Sequence, residues 1–255
     1  HYFSMRQYTY FISDLHLGAT YLKNPLDYER RVVSWLKSIK DDAKSLYLMG
    51  DILDYWYEYR TVVPRGFTRF FGTIAELADS GVEITWFIGN HDIWIFDYLP
   101  QELGIRIVDG SEIVEIEGKR FFLAHGDGIG KLSAGFKLIR SLFRNRFCQW
   151  LFAAIHPRWT IPFAHRWSSH SRNYSDEAPQ SNEELKEILI PFCQDYLKED
   201  PTINYFVMGH LHIMLNYQLQ LQPQSQLIIL GDWIHHFSYA KFDGIQLTLH
   251  QHSDK

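Results

Sequence analysis

Cysteine is scarce in this 255-residue chain: Cys148 and Cys193 are the only two. They imply no disulfide framework and fit a reducing compartment. Long hydrophobic runs are missing as well. None approaches the roughly 20 residues that cross a bilayer, and the N-terminus has no apolar signal core, so a cytoplasmic protein is expected. Internal repeats and low-complexity tracts are lacking, and the length suits one large domain, or a domain with an inserted cap. The most telling absence is local. From Lys131 to Arg172 there are eight Lys or Arg and no Asp or Glu, in a chain of net charge −5. A basic block within an acidic protein marks an anion-facing surface.

Outside that block the apolar runs are short, and five of them end on polar residues. They are Phe11-Ile-Ser-Asp-Leu-His-Leu-Gly18, Leu46-Tyr-Leu-Met-Gly-Asp51, Trp86-Phe-Ile-Gly-Asn-His-Asp92, Phe121-Phe-Leu-Ala-His-Gly-Asp127 and Phe206-Val-Met-Gly-His-Leu-His212. The pattern predicts strands over Tyr8 to Ser13, Ser45 to Met49 and Val82 to Ile88, with helices over Leu26 to Ile39 and Phe67 to Asp79 between them. A hairpin around Glu117-Gly118 follows. A helix opened by Ser181 and Glu184 as a capping box runs to about Lys198, and strands over Thr202 to Met208, Gln226 to Leu230 and Ile245 to His250 complete the chain. Strand–helix alternation early and a hairpin later imply a mixed α/β fold. Ligands in such sheets gather beyond the carboxyl ends of strands, where these polar residues would lie.

Two neighbouring divalent ions need a shared carboxylate, several imidazoles and hard oxygen donors. Asp14, His16 and His212 could serve one ion and Asn90, His125 and His210 the other, with Asp51 as a bridge. A water between two cations ionises at neutral pH and attacks phosphorus. Asp54 and Asp127 are read as groups that orient imidazoles.

The order Asp-X-His, Gly-Asp-X-X-Asp, Gly-Asn-His-Asp, His-Gly-Asp, Gly-His-X-His resembles the calcineurin-like metallophosphoesterase superfamily. The resemblance implies a two-sheet β-sandwich flanked by helices. It also implies a dinuclear centre, most often of manganese, with iron or zinc as alternatives, that hydrolyses a phosphate ester or anhydride. By the same resemblance His91 contacts the substrate phosphate or leaving oxygen rather than a metal, and Asp92 orients it. These two are the catalytic candidates, and a turn-forming role for Asp92 stands beside the catalytic one.

Within the basic block Leu132, Phe136, Ile139, Phe143, Phe147 and Trp150 recur at helical spacing, with Lys137, Arg140, Arg144 and Asn145 opposite. Such a helix either packs its apolar stripe on the core or forms a lid whose arginines meet phosphate or anionic headgroups. The block, residues 131–173, is expected to be a helical cap inserted into a core of residues 5–130 and 174–252. The layout is similar to the UDP-2,3-diacylglucosamine hydrolases of lipid A synthesis, which cleave the pyrophosphate of a lipid-linked nucleotide sugar. The resemblance implies substrate contacts from Asn90, His91, Arg166, Ser169, Arg172 and Asn173, and a peripheral position on the inner face of the inner membrane. A branch of that family carries Arg where this chain has His91. It has acidic residues and a Tyr where this chain has Leu132, Ser133 and Phe136. A nucleotide phosphodiesterase or nuclease, its basic block reading a polyanion, is the competing enzyme; an inactive metal-bound scaffold is the third reading. The first reading requires neither nucleic acid nor a protein partner.

Overall fold

The computed structural model describes residues 6–130, 134–164, 166, 183–220 and 224–253. Strands β1 (Tyr8–Ile12), β2 (Ala43–Leu48) and β3 (Glu83–Phe87) run parallel, joined by helices α1 (Pro25–Ser38) and α2 (Thr68–Asp79). Pro25 suits the first turn of α1 because its ring presets φ and no amide is lost there. Helix α2 begins on Phe67 in the left-handed region, with no cap of its own. Buried Glu29 of α1 caps it instead, accepting from the amides of Arg69 and Phe70 at 3.0 Å each. The carboxylate satisfies two orphan donors and meets the positive end of the helix dipole.

Two short elements absent from the sequence reading follow, α3 (Tyr98–Leu103) and β4 (Arg106–Val108). β4 pairs with β3, and the anchor of α3 lies forty residues upstream. Glu58 Oε2 accepts from the amides of Phe96, Asp97 and Tyr98 at 2.6, 2.8 and 3.0 Å, while Oε1 accepts from Leu99 N and Trp56 Nε1, both at 3.1 Å.

The hairpin is β5 (Ser111–Ile116) and β6 (Lys119–Ala124); β7 (Tyr205–Met208), β8 (Met214–Gln218) and β9 (Gln226–Leu230) extend its sheet in the order β5-β6-β7-β9-β8. Strands β10 (Ser238–Phe242) and β11 (Leu247–Gln251) return to the first sheet, ordered β11-β10-β1-β2-β3-β4. The sheets face each other through Phe11, Met49 and Phe87 on one side and Phe121, Leu123, Val207 and Ile228 on the other. Because side chains alternate along a strand, Phe122 and Phe206 point the opposite way. They pack under a helical segment that carries a π-turn, Leu185–Leu189, before the later helix Ile190–Glu199. Pro191 explains the π-turn: it has no amide to donate to residue 187, and Ile190 N reaches Leu185 O instead. Helices α1 and α2 cover the other outer face. The expected box residue Ser181 lies outside the described residues.

Between β6 and that π-turn come α4 (Ala134–Arg144), α5 (Arg146–Ala153) and α6 (157–164). The single amphipathic helix expected here is two, broken at Asn145, whose side chain accepts from Phe147 N and Cys148 N and caps α5. Its polarity also differs from expectation. Arg140 pairs with Asp127, and Arg144 Nη2 with Asp109 at 2.7 Å, so these arginines face the core's acids rather than solvent. Leu138, Phe147, Trp150, Leu151 and Trp159 are left exposed. Among the described residues no helix is long and apolar enough to cross a membrane.

Candidate metal centre

Five parallel-paired strands deliver side chains to one rim where the two sheets meet. Asp14 and His16 follow β1, Asp51 follows β2, Asn90 and His91 follow β3, His125 follows β6, and His210 and His212 follow β7. Asp14 Oδ2 accepts from His210 N at 3.0 Å, which stitches the rim across the two sheets, and Gly209 N donates to His125 O at 2.9 Å, which ties the ends of β6 and β7 within one sheet. Eight described non-glycine residues have positive φ, and five of them are Asp14, His16, Asp51, His210 and His212. Each such residue costs on the order of 1–3 kcal/mol, so strain is concentrated where these side chains must converge. Glycine before the polar residue has a reason too. A Cβ on Gly50 would collide with the His125 ring, and one on Gly89 with the Asp51 carboxylate.

The imidazoles are held in one orientation. His125 Nδ1 lies 2.8 Å from the Met49 carbonyl and His91 Nδ1 3.1 Å from the Asp54 carbonyl, acceptors that require each Nδ1 to donate. His16 Nδ1 faces Asp54 Oδ1 at 3.5 Å and His212 Nδ1 faces Asp232 Oδ2 at 3.3 Å. Neutral rings held this way turn the Nε2 lone pair inward. His16 and His212 bring their Nε2 atoms to 3.3 Å from each other, and His212 Nε2 is 3.4 Å from Asp14 Oδ1. Asp51 Oδ2 lies 3.3 Å from His125 Nε2, 3.8 Å from His16 Nε2 and 3.9 Å from His91 Nε2. Its other oxygen accepts from His91 N at 2.8 Å.

Lone pairs converging on carboxylates repel unless positive charge lies between them. Buried Asp14 Oδ1, Asn90 Oδ1 and His125 Nε2 make no hydrogen bond, a costly state that a cation would relieve. Protonation shows the same demand. Burial alone would push His125 down, yet the adjacent Asp51 carries it well above the ordinary imidazole range. Burial would raise Asp51, and His125 and His91 hold it well below the carboxylate range. Three groups could each hold an ion: Asp14, His16 and His212; Asp51, His125 and His210; and His16, Asp51 and His91. Asp51 belongs to two of them and can bridge. Asn90 offers a further neutral oxygen at the end of β3, buried and without a hydrogen bond.

Other expected residues fall differently. Asp92 is fully buried; it accepts from Ile52 N, Trp86 Nε1 and Gly89 N, tying the β2 and β3 loops together. Burial and neighbouring Asp51 push it up to about 6. The backbone carbonyl of Asp54 accepts from His91 Nδ1, and Asp127 pairs with Arg140. Arg166 is exposed, and Ser169, Arg172 and Asn173 lie outside the described residues. Asp232 stands outside the expected site set, although Leu230-Gly-Asp-Trp233 is another strand end on Gly-Asp, like the stretch at Asp51. Beside His91 and Asn90 opens a cavity of about 390 Å³, lined by Trp94, Leu142, Phe143, Phe152 and Phe163 among others.

The sequence model of the calcineurin-like phosphoesterase family matches residues 8–214. A protein of Porphyromonas gingivalis named UDP-2,3-diacylglucosamine hydrolase is 42% identical over 262 residues, covering 98% of this chain and 99% of its own. A protein of the same name from Ralstonia nicotianae is 26% identical, covering 94% and 88%. A solved phosphoesterase from E. coli aligns over 94% of this chain and 91% of its own, at 17% identity and a TM-score of 0.45.

Proposed function

Since the chain belongs to the calcineurin-like phosphoesterase family, we propose that it cleaves the pyrophosphate of a UDP-linked diacylated glucosamine to UMP and the acylated sugar 1-phosphate. It is a metal-dependent hydrolase by that membership. The observation that carries the substrate reading is the apolar cavity beside His91 and Asn90. A diphosphate seated at the rim would have acyl chains directly under α4 and α5, with residues 131–173 as a cap.

Asp14, His16 and His212 would hold one ion, and Asn90, His125 and His210 the other, with Asp51 between them. Manganese is the first choice, iron or zinc the alternatives, because carboxylate and imidazole sites accept several divalent ions. Such ions supply an ionised water and neutralise phosphate oxygens. His91, gripped at Nδ1 by the Asp54 carbonyl, faces the cavity; protonated, it donates from Nε2 to the leaving oxygen. Purified protein given manganese and UDP-2,3-diacylglucosamine should release UMP. Rapid cleavage of small phosphodiesters with no turnover of the lipid nucleotide would reject the assignment.

The exposed faces of α4 to α6 fit an anionic bilayer. Phe147 (65% exposed), Trp150 (64%) and Trp159 (69%) stand out among exposed Lys137, Arg146 and Arg158. This set replaces Arg140 and Arg144, whose charges are spent on Asp127 and Asp109. Phe147→Ser with Trp150→Ser should weaken binding to phosphatidylglycerol vesicles at least about tenfold, each ring contributing on the order of 1.5 kcal/mol of apolar burial. Hydrolysis of detergent-dispersed substrate should be unchanged. Equal vesicle sedimentation of variant and parent would mean that these rings do not meet the membrane.

A further inference from the structure

Asp232 has no part in the metal set, yet it is fully buried beside it. Its two oxygens do different things. Oδ1 accepts three backbone amides, Ile234 N at 3.1 Å, His235 N at 2.7 Å and His236 N at 3.0 Å, which shapes the turn after β9. Oδ2 faces two imidazoles, His212 Nδ1 at 3.3 Å and His235 Nδ1 at 3.1 Å. His212 is only one-fifth exposed and its Nε2 points at Asp14 and His16, whereas the His235 side chain is 70% exposed. The rim itself is tied to this turn, since Trp233 N donates to Asp14 O at 3.2 Å.

We infer that Asp232 is the positioning residue for His212, compelling Nδ1 to carry the proton so that Nε2 offers its lone pair to a cation held with Asp14 and His16. The inference rests on the metal-centre reading above. A carboxylate can only accept, so the proton on the shared edge belongs to the imidazole. Carboxylate partners of ligating histidines fix both tautomer and ring direction, and their loss typically costs about 10–100-fold in metal affinity.

The two-oxygen division makes Asp232→Asn a discriminating variant. Its amide oxygen can keep the three backbone amides, which preserves the turn. Its NH₂ then stands where Oδ2 was and donates toward Nδ1. His212 must answer by accepting at Nδ1 and moving its proton to Nε2, where it faces Asp14 Oδ1 and cannot ligate.

Manganese titration by calorimetry, with Tm on the same samples, tests this without any substrate. The expected result is two ions on the parent. Asp232→Asn should keep its Tm and lose about 10–100-fold in affinity at one site only. In metal-free protein, imidazole ¹⁵N spectra should show His212 with its proton on Nδ1 in the parent and on Nε2 in the variant. His235→Ala should leave both affinities unchanged. Parent-like affinity and tautomer in Asp232→Asn would overturn the inference. So would a fall in Tm with both sites weakened together, which marks a turn-building role, or a loss in His235→Ala equal to that in Asp232→Asn. A parent that binds no pair of ions would sink the metal-centre reading itself, and is told apart from those outcomes by the parent titration alone.

Discussion

Asp51→Ala should abolish UMP release, with a loss on the order of a thousandfold or more, the scale on which removing one electrostatic contact to a transition state registers. Asp51 is buried, and its Oδ2 lies near three inward-turned imidazoles, those of His16, His91 and His125. Removing it takes the shared anion from between the two ligand groups and uncaps the amide of His91. Metal content, measured by inductively coupled plasma spectrometry, should fall below one ion per chain. Asp51→Asn separates charge from shape, because its oxygen can still accept from His91 N while the negative charge is gone. It should retain the fold and still lose most activity. Two tightly held ions in Asp51→Ala would show that the bridge lies elsewhere.

Glu58→Ala should be the most damaging change away from the rim. Five N–H donors converge on this nearly buried carboxylate, four of them backbone amides at the start of α3. Stranding buried donors costs about 1–3 kcal/mol each when water cannot reach them, and partial hydration of a surface-proximal turn reduces the sum. A net loss of about 3 kcal/mol is expected, or roughly 6–12 °C in Tm for a chain of this size. Glu58→Gln should fare only slightly better, since one end of its amide would present NH₂ to donors. A thermal scan of the metal-loaded protein checks both. Parent-like melting would mean that α3 holds without its distant cap.

Much of the site could be read from the chain because each contributing strand is a short apolar run that stops on a polar residue. Collecting such endings needs only the rule that parallel strands share an open edge. What escaped depends on partners distant in sequence. Helix α3 and β4 have six and three residues, too short to show a period; Glu58 fixes the start of the first, and pairing with β3 fixes the second. Strand β10 mixes Ser, Ala and Lys with its aromatics, so its membership comes from pairing with β1 rather than from propensity. Arg140 and Arg144 looked solvent-directed because the acids that receive them, Asp127 and Asp109, lie before the basic block. The acceptor for His91 Nδ1 is the backbone carbonyl of Asp54, a contact set by the chain path rather than by residue type and so invisible to spacing.

The residues that would share a cation come from opposite halves of the sandwich: Asp14 and His16 from one, His212 from the other, and likewise Asp51 against His125 and His210. Each ion would therefore act as a clasp between two layers otherwise joined at this end mainly by hydrogen bonds. Loading it closes loops of up to about two hundred residues, and any ligand confined to the folded state adds its binding free energy to that state. Chain integrity at the mouth and readiness for chemistry would rise and fall together with the supply of free divalent metal.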